Sequence, residues 1–298
     1  MTIETMQNSV SKTGLDARLA ARHNKHTTPT AGISPGYIQA NMIVLPSRYA
    51  ADFRNLCARN PVPCPLIAES SSTGSFSSIK TCIKGLEDRG VVSTECDLRT
   101  DLARYMVYKN SKLVASHVQD VIEQWTEDHV AFLIGCSYSF ETELIRAGLP
   151  PQHILLGRNV SMYRTTTRLC PAGVFVGGTY VVSMRMYKRS QIGRVREVTS
   201  RFGVTHGEPV DWGWEAVGRL GIRDLGEPEW GDAPVLKGGF AVDDGDREDE
   251  EEVPVFWGCG VTPQDAVMRA GLEGVVLAHA PGYMLVLDVK DEDILDVL

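Results

Sequence analysis

The stretch VFWGCGVTPQDAVMRAG, from Val255 to Gly271, predicts a buried strand that gives way directly to a helix. The change falls at Gly258, Cys259 and Gly260, where glycine supplies a flexible hinge. A second stretch, FLIGCSYSFETELIRAG over residues 132–148, has Gly-Cys, a hydroxyl residue and Arg-Ala-Gly at the same spacing. Strand-to-helix corners are where α/β proteins usually build ligand sites. The match indicates two related units, with shared capping chemistry as the open alternative.

The two corners predict an α/β fold, because parallel strands need crossover helices of this kind. We expect a mixed or parallel sheet in a main domain, with a smaller α+β domain inserted in it. Between the corners, the sequence predicts a strand, a helix and a short strand, and this part differs in its sequence pattern from the segments on either side. The predicted division is a polar N-terminal arm over 1–30, a main domain over 31–168 and 253–298, and a smaller domain over 169–252 that ends in an acidic loop.

Two further stretches bear on the fold. RYMVYKNSKLVASHV predicts two strands around a turn at Asn110 and Ser111. ESSSTGSFSSIKTCIKGLEDRG, over residues 69–90, is rich in serine and shows little periodicity. It predicts a flexible surface insertion.

The charge of the chain argues against nucleic acid as a partner. The net charge is -8, and the run DDGDREDEEE over residues 243–252 holds eight acids and one arginine, so the rest is nearly neutral. No basic stripe interleaved with aromatic residues is present. We read the acidic run as a solvated loop, with a metal-binding cluster as the sharper alternative. Nothing in the sequence requires a metal or an organic cofactor.

Cysteine usage and the N-terminus bear on the compartment. The seven cysteines include no Cys-x-x-Cys pair, so free thiols in a reducing, cytoplasmic environment fit best. Arg18, Arg22 and Lys25 keep a mitochondrial presequence as the alternative, against which Glu4 and Asp16 count. No apolar run reaches the length of a membrane span, so we expect no membrane partner. Association into a homo-oligomer is left open.

The corners offer anion-binding and acid–base chemistry. Thr262 followed by Pro263 reads as the N-cap of its helix, with Asp265 placed to close a capping box. Open N–H groups at a helix start bind carboxylates, and a thiol there has a lowered pKa. Cys136 and Cys259 are therefore candidate acid–base or nucleophilic groups. The alternative is that both thiols only pack as small apolar side chains.

Two more side chains are candidates for proton transfer. Glu141 lies in the first turn of its helix, although an acid there often only complements the helix dipole. His279 ends an apolar strand before a Pro-Gly turn, where it suits proton transfer or a plain hydrogen bond to backbone. His206, in VTHGEPV, has a similar but weaker claim.

A polar segment, LLGRNVSMYRTT, suggests recognition of a small-molecule carboxylate. Arginine is the usual fork for such a group. The N–H groups near the corner residues would supply further donors. The predicted substrate-binding residues are Arg158, Asn159, Tyr163, Arg164, Ser139, Thr262 and Gly260.

Taken together, the stretches PTAGISPGYIQANMIVLP, RNPVPCPL, DLRTDLARYMVY, FLIGCSYSFE, GRNVSMYRT, TSRFGVTHGEPV, VPVFWGCGVTPQ and HAPGYMLVLD resemble successive motifs of a hydro-lyase family related to the D-glutamate cyclases. The likeness runs in order from Pro29 to Asp288. It implies an α/β main domain with a smaller α+β domain, and a lyase that adds or eliminates water. In the cyclases, D-glutamate becomes 5-oxo-D-proline with loss of water. The family's last motif has a second histidine where this chain has Tyr283.

The leading hypothesis is therefore a lyase acting on a small amino or hydroxy acid. Arg158 or Arg164 would hold a carboxylate, and Cys259, Glu141 or His279 would move the protons. Two alternatives stay open: a non-catalytic protein that binds a carboxylate metabolite, and a cysteine-dependent hydrolase.

Overall fold

A computed structural model describes residues 13–87, 90–92, 95–236 and 250–295 of the 298-residue chain. Within these ranges the helices are interspersed among the strands. In order, they are α1 (Gly14–Arg22), β1 (Tyr37–Pro46), α2 (Ala50–Arg59), β2 (Leu66–Ser70), β3 (Ile79–Thr81), β4 (Tyr105–Lys109), β5 (Lys112–Val118), β6 (His129–Gly135), α3 (Glu141–Arg146), α4 (Gln152–Leu155), β7 (Ser161–Arg168), β8 (Thr179–Lys188), α5 (Ile192–Ser200), β9 (Asp211–Trp212), α6 (Trp214–Leu220), β10 (Glu252–Gly258), α7 (Val261–Arg269), β11 (Val275–His279) and β12 (Leu285–Lys290).

The strands form two sheets, and the α/β class is confirmed. The first sheet has the order β3-β2-β6-β1-β11-β4-β5, with β12 also paired to β1, and the second has the order β7-β8-β10-β9. Every pairing between these described strands is antiparallel, so the expected parallel pairing is not found. The physical reason is that the strands on either side of α2, α3, α5 and α7 do not pair with each other, so these helices make no parallel crossover within a sheet. Strands β9 and β10, on either side of α6, do pair, and their pairing is antiparallel.

Each sheet contains one copy of the same arrangement of strands and helices, and β3, β4, β5 and β12 are additional strands of the first sheet. In each copy a strand of 10 residues is followed by a short 3₁₀ turn of 3 residues and then a helix: β1 with α2, and β8 with α5. A second strand then leads through a Gly-Cys corner into another helix: β6 with α3, and β10 with α7. The strand orders β2-β6-β1-β11 and β9-β10-β8-β7 correspond strand for strand. This correspondence extends the likeness of the corners to the whole unit.

The copies exchange their last strands. After α3, strand β7 pairs with β8 of the other copy, and after α7, strand β11 pairs with β1. The register of the central pairs matches as well, since Ala40 lies opposite Gly135 and Val182 opposite Gly258. Because of this exchange, the two corners come together between the sheets.

The predicted hairpin and the serine-rich stretch can be compared with the structure. The hairpin is confirmed: β4 and β5 pair around Asn110 and Ser111, both of which have positive φ as such a turn requires. In the serine-rich stretch, β3 pairs with β2 through Ala68 and Thr81, so part of this predicted surface insertion is a sheet edge. The weak hydrophobic periodicity of this stretch did not predict that its residues pair as a strand.

The second sheet contains strands from both of the predicted domains. Strands β7 and β10 belong to the second sheet, although most of their residues fall within the predicted main domain. The predicted polar arm contains α1, whose Arg18 is fully buried and donates to the Val286 carbonyl and the Asp288 carboxylate. Residues 237–249, with most of the acidic loop, lie outside the described residues.

Candidate active site

The two corners meet at Asn41, a buried residue in the middle of β1. Its Nδ2 donates to the carbonyl of Gly135, 3.0 Å away, at the first corner. A Cβ atom on Gly260, at the second corner, would lie 1.9 Å from the same nitrogen. Only glycine therefore lets the backbone of the second corner approach Asn41 so closely.

The two corner thiols lie in one buried cluster and are held in the same way. Cys136 Sγ accepts from the backbone N–H of Tyr138 at 3.5 Å, and Cys259 Sγ accepts from that of Val261. Both pack with Met162 and other apolar side chains. Cys136 is thus the N-cap of the 3₁₀ turn Ser137–Phe140, whereas the N-cap of α7 is Gly260 and Cys259 precedes it.

The expectation that these thiols have a lowered pKa is wrong. Burial raises the pKa of Cys259 to about 11, against a smaller lowering by the Val261 N–H and Arg185. Burial likewise raises the pKa of Cys136 well above that of an ordinary thiol. Loss of hydration outweighs the helix-start donors, so both groups are protonated thiols at neutral pH.

Thr262 is not the N-cap of its helix. The helix begins at Val261, and the Thr262 hydroxyl is engaged with strand β8, accepting from Val181 N at 2.9 Å. Ser139 does the same at the first corner, where its Oγ accepts from Gln39 N at 3.1 Å. The expected capping box fails because Asp265 forms ion pairs with Arg164 and Arg269. These hydroxyls fasten each corner to its neighbouring strand.

A buried ion pair crosses between the copies beside the thiols. Arg185 of β8 and Glu141 of α3 are both almost fully buried, and Arg185 Nε donates to Glu141 Oε1 at 3.0 Å. The guanidinium also donates to the hydroxyls of Ser183 and Ser137, each at 3.1 Å. It lies between two aromatic rings, Phe140 and Trp257, at 5.2 Å from each centroid. A charge this buried needs such a complete set of partners.

The same carboxylate has a second neighbour and one open oxygen. His153 Nε2 lies 3.1 Å from Glu141 Oε1, and Oε2 has no hydrogen-bond partner among the described residues. Burial acts to raise the pKa of Glu141, but His153 and Arg185 together hold it below the ordinary value. Glu141 is thus an ionised buried carboxylate with a free acceptor.

A narrow cleft with a volume of about 30 Å³ reaches Arg185 of this ion pair from the surface. Arg185 and His153 line its inner part, while Arg158 and Asn159 line its mouth. Arg158 is exposed and donates to the Ala233 carbonyl at 3.1 Å, so most of its donors stay available. A small carboxylate would find these donors at the mouth, with His153 and Arg185 further in.

Asn159 joins the cleft to the turn after β11. Its Oδ1 accepts from the Tyr138 hydroxyl at 2.6 Å, and its Nδ2 donates to the Pro281 carbonyl at 3.4 Å. Tyr138 stacks on His153 with centroids 5.9 Å apart. Any side chain at Gly282 would collide with Asn159, because a Cβ there would lie 2.3 Å from Nδ2.

Two predicted residues lie elsewhere. Tyr163 is buried in a separate apolar cluster, where its hydroxyl donates to the Leu225 carbonyl at 2.7 Å. Arg164 forms a two-nitrogen ion pair with Asp265 and packs on the Trp230 ring. The structure brings neither of them to the cleft that Arg158 and Asn159 line.

His279 lies beside Asn41 but inside the sheet. It is fully buried, and its Nδ1 is within hydrogen-bond distance of Met42 N (3.3 Å) and Met42 O (3.2 Å), while Nε2 has no partner among the described residues. Burial lowers its pKa to about 4, so it is neutral at physiological pH. Tyr283, at the departure from the family motif, packs on His117 of β5 with centroids 5.7 Å apart.

Sequence reasoning missed three residues of this site: Asn41, Arg185 and His153. Asn41 and Arg185 had a signal, since each is a polar side chain with apolar residues on both sides in a strand. His153 sits in a four-residue helix with nothing in the local sequence to mark it. Within the described residues, no three His, Cys, Asp or Glu side chains come together as metal ligands, and no helix there is long and apolar enough to cross a membrane.

Comparison with known proteins gives consistent results. Residues 130–288 match the family model described as D-glutamate cyclase. A protein of Rubrobacter xylanophilus named "putative hydro-lyase" is 44% identical over 93% of this chain and 96% of its own length. Proteins of the same description from Bacillus subtilis (41%, covering 94% and 97%) and Schizosaccharomyces pombe (40%, covering 92% and 84%) are also similar. A nitrogen repressor-like protein of Methanococcus jannaschii aligns at a TM-score of 0.39 and 11% identity over 96% and 98% of the two chains, too weak a likeness to carry an argument.

Proposed function

We propose that this chain, which belongs to the D-glutamate cyclase family, is a lyase that removes water from a small carboxylate substrate at the junction of the two corners. The family and the names of its relatives support a hydro-lyase activity at this coarse level.

One observation supports the proposal: a buried, ionised Glu141 with an unpartnered oxygen contacts Arg185 and His153, which line a cleft together with Arg158. A buried acceptor without a partner is costly, and such groups concentrate at functional sites. The Arg158 guanidinium would bind the substrate carboxylate. Glu141, steadied by Arg185, would accept a proton from the reacting group.

For the finer assignment we propose D-glutamate, which would become 5-oxo-D-proline. The amine attacks the side-chain carboxyl carbon, a C–N bond forms, and a C–O bond breaks. The ammonium gives up two protons, and both end on the departing oxygen, which leaves as water. Glu141 would take a proton from the ammonium, and the thiol of Cys259 would protonate the oxygen and be reprotonated through Glu141.

The corner backbone would assist at the carboxyl carbon. The N–H groups near Ser139 and Thr262 stand at helix starts, where donors favour a developing negative charge. Cys136 is the second buried thiol beside Cys259 and would keep this part of the site dry. His279, neutral and bound to Met42, would support Asn41 and the corners. No partner beyond the small-molecule substrate enters the proposal.

The raised thiol pKa values weigh against the cysteine hydrolase, since a nucleophile of that class acts as thiolate. The non-catalytic binding protein is tested by turnover. Purified protein would be incubated with a panel of amino and hydroxy acids, and dehydrated products followed by NMR. A product from any member supports the lyase, whereas stabilisation of the fold by a ligand without any product supports the binding protein.

The predicted carboxylate clamp has a matched test. Arg158→Ala should raise KM about tenfold or more, the loss expected for a charge-assisted hydrogen bond to substrate. Arg164→Ala, which removes an arginine engaged with Asp265 outside the cleft, should leave KM close to that of the wild type. Equal effects of both substitutions would argue against the clamp at Arg158.

A further inference from the structure

We propose that His206 is a positioning residue of this site, fixing the spacing between the two corners and so the packing of Cys136 against Cys259. The inference rests on the proposed function for its catalytic consequence but not for its structural one. His206 follows the 3₁₀ turn Gly203–Thr205, which comes after α5. It belongs to neither corner.

The turn abuts the glycine of each corner. A Cβ on Gly135 would lie 2.2 Å from the Val204 carbonyl oxygen. A Cβ on Gly258 would lie 3.2 Å from His206 Nδ1 and 3.1 Å from the Val62 carbonyl oxygen. The glycines before the two cysteines therefore allow one turn to contact both corners.

A side-chain hydrogen bond completes a ring of contacts. His206 Nδ1 lies 2.8 Å from the Val62 carbonyl oxygen, in the loop that connects α2 to β2. Three residues on, the Pro65 carbonyl accepts from Gly135 N at 2.9 Å. These contacts form a closed ring: the first corner contacts the turn, His206 ties the turn to the loop, and the loop is bonded back to the first corner. The second corner packs on His206 and Val62.

The burial, protonation state and backbone conformation of His206 favour a stable hydrogen bond to Val62. Its ring is almost fully buried, and Nε2 has no partner among the described residues. Burial lowers its pKa to about 4, so the ring is neutral at physiological pH and Nδ1 can donate to the Val62 carbonyl. Its φ of 82° is uncommon for a residue with a side chain and persists only when the surroundings impose it.

The test compares two substitutions at position 206 with one elsewhere. His206→Gly accepts the positive φ but removes the tie to Val62, whereas His206→Asn tolerates the same φ and keeps an amide donor. His129→Ala is the matched control. His129 is equally buried and bound to backbone at both nitrogens, through Thr126 and Val275, but contacts neither corner.

The primary readout needs no substrate. Labelling of Cys136 and Cys259 by iodoacetamide would be followed by mass spectrometry under native conditions. Since buried thiols react through local opening, His206→Gly should label both about tenfold faster than the wild type. His206→Asn should restore slow labelling, and His129→Ala should leave it slow. Wild-type rates in His206→Gly, or equally fast labelling in His129→Ala, would overturn the proposal.

Kinetics add a second readout once a substrate is turned over. Displaced corners should lower kcat with little change in KM, because Arg158 at the mouth is untouched. A rise in KM alone would contradict the positioning role. If the wild type turns over nothing, the proposed function fails, while the labelling experiment still decides whether His206 spaces the corners.

Discussion

Ser139 and Thr262 make the same hydrogen bond in two different sheets. Each hydroxyl stands three residues after a corner cysteine and accepts from a backbone N–H of the neighbouring strand: Gln39 N at 3.1 Å and Val181 N at 2.9 Å. In both sheets that N–H belongs to the residue just before the partner of the corner glycine. The two copies therefore share this hydrogen bond as well as their strand order.

This relationship predicts equal effects of Ser139→Ala and Thr262→Val. Each leaves a buried N–H without its acceptor, which costs about 1–3 kcal/mol of the free energy of unfolding. Urea unfolding monitored by fluorescence measures it. Thr27→Val, at an exposed position, should change stability by less than about 0.5 kcal/mol. A neutral result at either corner would mean that its hydroxyl does not fasten the strand.

The buried ion pair predicts a strong coupling. Arg185→Met leaves the buried Glu141 charge with His153 alone beside it, so the free energy of unfolding should fall by about 3–5 kcal/mol. Adding Glu141→Gln removes that charge, and the double variant should recover part of the loss. Arg194→Met breaks the exposed pair with Glu197 and should cost no more than about 1 kcal/mol. A double variant less stable than Arg185→Met alone would contradict the coupling.

The close approach at the second corner predicts the effect of Gly260→Ala. The added methyl would lie 1.9 Å from Asn41 Nδ2 and displace the amide from the Gly135 carbonyl. We expect a loss of about 1–3 kcal/mol in thermal or urea unfolding. Gly193→Ala in α5 meets nothing within 4 Å and should instead stabilise by about 0.5–1 kcal/mol. A Gly260→Ala variant as stable as wild type would remove the argument for this contact.

Burial of His279 predicts a loss of stability in mild acid. Its folded pKa, lowered to about 4, lies below the ordinary 6.5, so the unfolded chain takes up a proton first as pH falls. The stabilisation is complete above pH 6.5 and is lost between 6.5 and 4, by about 2 kcal/mol at pH 5. Comparing unfolding at pH 7 and 5 should show a smaller drop for His279→Gln. His23→Gln, at an exposed position, should keep the wild-type drop, and an unchanged drop in His279→Gln would contradict this account.

The parts of the fold that sequence predicts are local ones. Gly135 with Cys136 and Gly258 with Cys259 mark corners because a strand pattern stops where a helix pattern starts. Asn110 and Ser111 mark a hairpin because few other residues accept positive φ in succession. Pairing direction escapes this reasoning, since β7 and β11 leave their own copy for strands that are distant in sequence.

The candidate site was predicted in part for the same reason. Local sequence patterns, the Gly-Cys corners and the polar loop, predicted four of its residues: Cys136, Cys259, Glu141 and Asn159. Arg185 was missed, since a strand pattern alone does not tell that its side chain crosses to the other copy. The direction of the thiol pKa shifts was missed because it depends on burial by residues far along the chain.

The most direct test is an NMR time course of the purified protein with D-glutamate, run beside L-glutamate. We predict that 5-oxo-D-proline forms from the D form, and that its formation is slowed by at least about a hundredfold in both Cys259→Ala and Glu141→Gln, a loss typical of removing an acid–base group. Binding should persist in these variants as ligand-induced stabilisation. No product from D-glutamate at high protein concentration, or undiminished turnover in both variants, would contradict the account.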